Sequence, residues 1–260
     1  MTQQTGGQVH FARGVSIAER TIMPILAAMS LVALVIAIGL ALPLGYLAAK
    51  RHGSLLDNLS VIGSLVGVAV PVFFLAFLLR YVFAQELHWL PVSGRQEVDA
   101  TRVTGFFILD GLLTREWDAA WDALKHLLLP GLALASIPFA MIFRITRASV
   151  LEVLDEDYVR TAESKGLTQR VVRGRHVMRN ALLPVITAIG LQMGGLLAGA
   201  VLTESVFNIA GIGDALRQAF TLRDYPVLQV LILAAAGTYV VVNLIVDILY
   251  AVVDPRVRTR

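Results

Sequence analysis

Five long apolar runs, separated by shorter polar segments, dominate the pattern along the chain. Their approximate bounds are Ile22–Ala49, Asn58–Ala84, Leu127–Phe143, Ala181–Thr203 and Val227–Val253. A helix needs about 20 apolar residues to cross a hydrocarbon core about 30 Å thick, and four runs are long enough. The third run is the shortest, and we expect its helix to end nearer Val150. The pattern therefore predicts an all-α, polytopic membrane helical bundle of about five spans.

The composition supports a membrane protein. Hydrophobic residues make up 57% of the 260 positions and charged residues 16%, with a mean hydropathy of +0.72. An ordinary soluble domain carries about 25% charged residues, so a disordered chain and a typical soluble enzyme are excluded. The chain has no cysteine, which excludes disulfides, thiolate metal sites and cysteine nucleophiles.

The positive charges predict the orientation of the spans. Lysines and arginines are dense in Lys50–Asp57, Arg144–Asn180 and the tail Asp254–Arg260. Because cytoplasmic loops are enriched in these residues, we assign those segments and the C-terminus to the cytoplasm. Five spans then place the N-terminal segment, residues 1–21, outside, together with the long loop Gln85–His126.

Tryptophans mark one part of that long loop. Trp117 and Trp121 are four residues apart, which places them on one face of a short helix over Thr114–Leu124, with Thr114 as its predicted N-cap. Such tryptophans usually anchor at the membrane interface. A contact with substrate or a docking partner is the alternative.

Two ionisable residues lie well inside the runs. Arg80 is four residues from the outer end of the second run and is expected to reach the headgroups with its long side chain. Asp247 is about 10 Å deep, either as a helix-end acid paired with an arginine or as part of a transport pathway. Because ion-coupled transporters usually keep carboxylates near the midplane, this scarcity argues against self-powered transport.

Small residues and prolines indicate how the spans pack and bend. The fourth run contains two small-residue motifs, Gly190-x-x-x-Gly194 and Gly195-x-x-x-Gly199. They allow close helix packing, either within this bundle or against a partner subunit that moves. Prolines inside the spans are expected to kink them or mark helix starts, at Pro43, Pro71, Pro138 and Pro184.

The charged segment 151–180, called the elbow below, carries helix start and stop signals. Acids in a first turn, a lysine in a last turn and Gly166 beyond it predict a short helix over Glu156–Lys165. Thr168 is then expected to cap a second helix, Gln169–Arg179. Two short helices joined by a bend would form an L-shaped knob. By itself this knob is either an ordinary solvated loop or a docking surface.

Two stretches of the elbow match a known pattern. The first is Arg160-Thr161-Ala162-Glu163-Ser164-Lys165-Gly166, and the second is His176-Val177-Met178-Arg179-Asn180. They resemble the EAA loop of ABC importer permeases. Arg160, Thr161 and Arg179 depart from the general pattern in the way seen in the dipeptide/oligopeptide/nickel branch, whose B-type subunit is the nearer match. Further similar stretches are Pro43–Gly45, Gly53–Asp57, Trp89–Gly94, Thr203–Phe207, Gly211–Gly213, Arg223–Pro226 and Asp254–Arg256.

The resemblance implies a type I ABC importer transmembrane domain over residues 22–260, in a bacterial inner membrane. In this family an additional helix usually precedes the first run, and Ala210 stands where proline is frequent. The elbow would couple to the ATPase, with Ala162 and Gly166 allowing close approach. The implied coupling residues are Tyr158, Arg160, Thr161, Ala162, Glu163, Lys165, Gly166 and Leu167.

The resemblance also implies the partners. They are a homologous second permease, two cytosolic ABC ATPase subunits, an extracytoplasmic substrate-binding protein and membrane lipid, with no nucleic acid. The sequence has no G-x-x-x-x-G-K-[ST] motif, so we expect no cofactor on this chain and ATP with Mg²⁺ on the partner ATPases. Dipeptides, longer peptides, nickel chelates and haem remain alternative cargoes.

Two other classes of function compete with a permease subunit. A membrane-embedded enzyme is disfavoured because the histidines form no H-E-x-x-H motif and no G-x-S-x-G motif occurs. We therefore predict no catalytic residue and no metal ligand. An ion-coupled secondary transporter or channel is the remaining alternative.

Overall fold

The computed structural model describes residues 23–98 and 101–253, and all regular elements in these ranges are helical. The predicted all-α class is confirmed. The N-terminal segment 1–21 and the tail Asp254–Arg260 lie outside the described residues. The α-helices are α1 (Met23–Lys50), α2 (Leu55–Ala69), α3 (Val72–Leu79), α4 (Phe107–Leu113), α5 (Trp117–Leu154), α6 (Asp157–Ser164), α7 (Gln169–Val171), α8 (Arg179–Val206), α9 (Ile212–Thr221) and α10 (Tyr225–Val253), with π-helical segments π1 (Arg80–Glu86) and π2 (Val172–Met178).

Three helices in the described ranges are long and apolar enough to cross a membrane. They cover Pro24–Lys50, Trp117–Leu154 and Gln169–Leu196, and the pair formed by α2 and the α3–π1 segment makes a fourth if it is one span. The fifth predicted run lies on α10. The helix that contains the third predicted run is longer than expected, because α5 continues past Val150 to Leu154.

The second predicted run is broken. Leu55–Ala69 and Val72–Glu86 meet at an angle of 106°, so they form a bent span or a re-entrant loop instead of one straight helix. Pro71 causes the break: it is the N-cap of α3, and Val70 before it is extended with φ −81° and ψ 123°. A residue that precedes proline avoids the helical region because the proline ring would clash with its backbone.

The chain divides into two compact units. The first unit comprises the described parts of Met1–Ala33, with Pro71–Leu134 and Gly194–Leu244. It contains α4, where Leu109 and Leu113 are exposed while Asp110 and Gly111 are buried. This unit holds most of the irregular chain, including the loop between π1 and α4.

The predicted helix around the tryptophans is present with a different start. Thr114 ends α4, because its backbone N–H and its hydroxyl both donate to the Asp110 carbonyl, at 2.9 and 2.8 Å. Helix α5 begins at Trp117, and Trp117 and Trp121 are 64% and 59% exposed. The assignment of Thr114 as N-cap was therefore wrong. The hydroxyl is already used by the preceding helix.

The second unit comprises Leu34–Val70, Ala135–Met193 and the described part of Ile245–Arg260. Within it, α1 and α5 approach closely at Gly45, where an added Cβ would lie 2.9 Å from Thr146 Cβ and 3.0 Å from the Phe143 carbonyl oxygen. A side chain at position 45 would separate the two helices, so this glycine is required by packing.

Candidate functional site: the elbow and the buried glutamate

The first elbow helix forms where the sequence predicts it. Glu156 is its extended N-cap, and the Glu156 carbonyl accepts from the backbone N–H groups of Val159 and Arg160. Helix α6 then covers Asp157–Ser164, within one residue at each end of the prediction. Acids in the first turn favour this start, because the N-terminus of a helix carries partial positive charge.

A glycine turn ends α6. Gly166 has φ +74°, its N–H donates to the Glu163 carbonyl at 2.9 Å, and the Leu167 N–H donates to the Ala162 carbonyl at 3.4 Å. These two bonds make a Schellman motif, which satisfies the last carbonyls of the helix. A Cβ at Gly166 would meet no atom within 4 Å. The backbone conformation, and not lack of space, therefore restricts this position to glycine.

The two faces of α6 differ in exposure. Val159 and Ala162 are buried, at 2% and 5% exposure, while Tyr158 and Leu167 are 39% and 41% exposed. The other predicted coupling residues are also exposed: Arg160, Thr161, Glu163, Lys165 and Gly166. Ala162 thus differs from the rest, because it packs inside this chain and has no surface to offer a partner while the elbow is folded.

An apolar cluster fixes the elbow to the ends of long helices in the second unit. Its buried members come from α1, α5, α6, π2 and α8, and they are Ala49, Val150, Val159, Ala162, Val172, Val177 and Ala181. Outside the cluster, Asn180 Nδ2 donates to the Tyr158 hydroxyl at 3.0 Å, which ties α6 to α8. The elbow is therefore packed as part of a helix core and does not hang free as a loop.

The second elbow helix differs from its prediction. Thr168 does occupy the N-cap position, with extended backbone, but its side chain makes no capping hydrogen bond. Helix α7 passes into π2, and π2 passes into α8, which continues to Val206. The predicted end at Arg179 was wrong, because polar residues there do not interrupt the helical hydrogen bonds.

An ion pair lies beside the elbow and was missed by the sequence reasoning. Arg147 binds Asp57 through two parallel bonds, Nε to Oδ1 at 2.6 Å and Nη2 to Oδ2 at 2.8 Å. The Gly53 N–H also donates to Asp57 Oδ2 at 3.0 Å. Asp57 is 1% exposed and the Arg147 side chain is 23% exposed, so the pair links α2 to α5 at a partly shielded position. The partners are 90 positions apart, and no local pattern connects them.

The glycines of the fourth run have different surroundings. At Gly199 an added Cβ would lie 3.1 Å from Leu134 Cδ2, which indicates close packing within the first unit. At Gly195 it would meet no atom within 4 Å. Gly194 is buried and Gly190 is partly buried. The side chain of Asp247 lies outside the described residues.

Arg80 does not point to the headgroups as predicted. Its Nη1 donates to the Val206 carbonyl, at the last residue of α8, and its Nε is buried without a hydrogen-bond partner among the described residues. The guanidinium therefore satisfies the end of a helix of the same unit. A helix C-terminus favours a cation because its last carbonyls carry partial negative charge.

Glu204, near the end of α8, is the second buried carboxylate that sequence reasoning missed. It is 0% exposed, and the Gly213 N–H donates to its Oε2 at 2.8 Å. An added Cβ at Gly211 would overlap the Glu204 carboxyl group. The order glutamate, six residues, Gly-Ile-Gly was visible in the sequence as a family-like stretch, but nothing local showed that the glycines enclose the glutamate.

The environment of Glu204 favours its neutral form. Glu204 follows the apolar run Ala181–Thr203, and burial raises its pKa from the ordinary 4.5 to about 7. The Gly213 N–H and the positive charge of Arg95 act in the opposite direction, while Asp214 adds to the increase. A buried carboxyl group with one bonded oxygen is therefore poised to titrate near neutrality.

Three other carboxylates of the first unit hold the long loop by accepting backbone N–H groups. Asp110 accepts from Thr104 and Gly105, Glu116 from Thr101, and Asp122 from the backbone of the loop at Val98. Burial alone would raise the pKa of Asp110, but the bonds from Thr104 and Gly105 outweigh it and hold the pKa below its ordinary value. The pKa of Asp110 is thus lowered where the pKa of Glu204 is raised.

The described residues contain no group of three or more histidine, aspartate or glutamate side chains arranged to hold a metal ion.

Comparison with known proteins identifies the family. The chain matches the family described as binding-protein-dependent transport system inner membrane component over residues 41–259. The chain belongs to this family. This confirms the resemblance to ABC importer permeases that the elbow motif carries. The chain is therefore a multi-pass permease subunit of a transport system, in the class of inner-membrane components.

Curated relatives are similar over nearly the whole chain. The dipeptide transport system permease protein DppB of Alkalihalophilus pseudofirmus is 45% identical over 242 residues, covering 91% of this chain and 73% of that protein. The di/tripeptide transport system permease protein DppB of Pseudomonas aeruginosa is 46% identical over 92% of this chain and 71% of that protein. The Escherichia coli DppB is 45% identical over 87% of this chain and 68% of that protein.

Proposed function

We propose that this chain forms half of the translocation pathway of an ATP-driven importer for dipeptides and other short peptides. Three relatives at 45–46% identity are named for dipeptide or di/tripeptide transport, which supports peptides over nickel chelates or haem. A homologous second permease completes the pathway, and an extracytoplasmic binding protein delivers the peptide. The cargo is tested by uptake of labelled dialanine into proteoliposomes that contain the full complex. Uptake of a nickel chelate or haem instead would contradict the peptide assignment.

The elbow is the surface through which ATP hydrolysis acts. The observation that supports this is its packing: the exposed face of α6 carries Tyr158, Arg160 and Glu163, while its buried face shares one apolar cluster with the ends of α1, α5 and α8. Because close-packed side chains move together, a displacement of α6 must displace those helix ends as well. Two cytosolic ATPase subunits would supply that displacement, with ATP and Mg²⁺ bound to them.

A matched pair of substitutions at Gly166 tests the docking. Asparagine tolerates the left-handed backbone of this position and adds no charge, while Gly166→Asp adds a negative charge with a side chain of the same size. We expect Gly166→Asn to retain ATPase copurification and transport, and Gly166→Asp to lose one or both. Normal assembly and transport by Gly166→Asp would contradict the docking proposal.

Charge reversal on α6 provides a second test. Lys165→Glu lies on the exposed rim of the elbow, and Lys125→Glu is an exposed control in the first unit. Because surface charges guide association more than they stabilise folding, we expect the elbow variant alone to reduce copurification of the ATPase. Equal losses in both variants would show a general effect of added acid.

The orientation and the partner face complete the proposal. The elbow and the C-terminus face the cytoplasm, and the segment 1–21 faces outside. Gly195, which has open space beside it, faces the second permease across a moving contact. Reporter fusions at both ends test the orientation, and crosslinking from position 195 tests the contact. Solute transport by the purified chain alone would favour an ion-coupled carrier instead.

A further inference from the structure

The end of α8 and the loop that follows it fold around one carboxyl group. The loop 207–213 returns to Glu204 through the Gly213 N–H bond to Oε2, and the Ile209 N–H donates to the Glu204 carbonyl at 2.9 Å. Gly211 places its backbone against the carboxyl group, in the space that a side chain would take. The three atoms nearest to an added Cβ at Gly211 all belong to Glu204.

Only one oxygen of this carboxyl group is satisfied. Glu204 Oε1 is buried and has no hydrogen-bond partner among the described residues. A charged carboxylate in this position leaves an acceptor without a donor in a dry site, which is unfavourable, whereas a protonated carboxyl group carries no net charge to desolvate. The geometry therefore favours the neutral group whenever the loop is closed over it.

The charged neighbours of Glu204 do not cancel this preference. Arg95, in the loop before α4, attracts the carboxylate without a hydrogen bond, and Asp214 at the start of α9 repels it. Asp214 is itself bonded to Arg217 at 2.9 Å, and the Arg80 guanidinium is bonded to the Val206 carbonyl. Arg80 and Arg217 are thus bonded to other groups, and Arg95 makes no hydrogen bond to Glu204. Burial therefore remains the largest effect on the pKa of Glu204.

We propose that Glu204 is the positioning residue of the loop 207–213, and that this loop loosens when the Glu204 carboxyl group loses its proton. The pKa near 7 agrees with this geometry, since the closed loop keeps a proton that an opened loop would release. The contribution of Glu204 to closure is fully present below pH 4.5 and is lost as the pH rises through about 7. The permease would therefore respond to the pH on the side where this loop lies.

A spin label on the loop measures this response without any assumption about cargo. The chain contains no cysteine, and Ala210 is exposed, so Ala210→Cys gives one labelling site in this chain. The label is read by electron paramagnetic resonance in the assembled complex, with partner subunits made cysteine-free, from pH 5.5 to 8.5. We expect the mobile fraction to increase with a midpoint near pH 7.

Two further variants identify the titrating group. Glu204→Gln keeps an acceptor for the Gly213 N–H but cannot ionise, so its mobility should stay constant across the pH range. Asp110→Asn changes another buried carboxylate of the same unit, and the midpoint near pH 7 should remain. The proposal is overturned by a constant signal in the unsubstituted loop, or by the same midpoint in Glu204→Gln.

A double-mutant cycle tests the positioning role independently of pH. Gly211→Ala forces a methyl group onto the carboxyl group and should increase label mobility even at pH 5.5. Glu204→Ala empties that space, so the double variant should be less mobile than Gly211→Ala alone. Additive effects in the double variant would show that the two positions are independent and would contradict the proposal.

Discussion

Different chemistry stabilises each of the two units of this permease. In the second unit an apolar cluster fixes the elbow, and an ion pair with two parallel bonds links α2 to α5. In the first unit the loops are fixed by carboxylates that accept backbone N–H groups, as Asp110 and Glu204 do. Apolar packing resists displacement and is indifferent to moderate pH, whereas carboxylate contacts depend on protonation. We therefore expect the elbow to be stiff and the loops of the first unit to be adjustable.

Loss of the Asp57–Arg147 pair should be the most damaging change. Arg147→Ala leaves Asp57 buried without its cation, and we expect a loss of about 3–5 kcal/mol in the free energy of unfolding. The thermal midpoint of the detergent-solubilised chain measures it. Adding Asp57→Asn should recover part of the loss, because the remaining amide is neutral and still accepts from Gly53. A double variant as unstable as Arg147→Ala would show that the charge is not the cause.

The next largest loss of stability is expected where two helices approach closely at a glycine. One such glycine in each unit allows the two units to be compared. Gly45→Ala in the second unit would place its Cβ 2.9 Å from Thr146 Cβ, and Gly111→Ala in the first would place its Cβ 2.7 Å from the Ala120 nitrogen. Each should cost about 1–3 kcal/mol in thermal unfolding experiments.

The control for these two variants is Gly63→Ala, which has open space around it inside α2. Alanine favours helix over glycine, so we expect this variant to be neutral or slightly stabilising. If all three variants lose similar stability, helix approach is not the reason.

The glycine turn of the elbow should show a smaller effect. Gly166→Ala must adopt φ +74°, which costs an alanine about 1–2 kcal/mol, while Gly166→Asn should lose less because asparagine visits this region more readily. Thermal unfolding of both variants compares them. Equal stability of the alanine variant and the parent would show that α6 ends in another way.

The smallest effect is expected at Glu116, a partly exposed carboxylate that accepts from the Thr101 N–H at 2.9 Å and from the Thr101 hydroxyl at 2.8 Å. These hydrogen bonds lower the pKa of Glu116 below its ordinary 4.5. Its contribution is therefore present above pH 4.5 and is lost as the pH falls through the lowered pKa. Glu116→Gln should slightly lower the thermal midpoint at pH 7 and have no effect at low pH. A larger decrease of the thermal midpoint at low pH than at pH 7 would contradict the lowered pKa of Glu116.

Local signals predicted much of the fold. The apolar runs located the long helices, and the acids, Gly166 and Lys165 located α6 within one residue at each end. Pro71 was recognised as a kink or helix start, although the 106° angle was not foreseen. These features can be predicted from the sequence because helix propensity, capping and proline geometry act over a few residues.

The rest depends on contacts distant in sequence. The inward face of Ala162, the partner of Asp57 and the enclosure of Glu204 by Gly211 and Gly213 are set by tertiary packing. Arg80 illustrates the same limit: its length allowed it to reach the headgroups, but a nearby helix end provided a carbonyl acceptor instead.

The helix that begins at Gln169 and continues through α8 has a consequence for how a displacement of the elbow is transmitted. Its first turns belong to the elbow, and α7, π2 and α8 follow one another with no loop between them. A displacement of the elbow is therefore passed along the axis of this helix. Its twist or bend can change at the wider turns of π2 and at Pro184, whose ring removes a helical hydrogen bond.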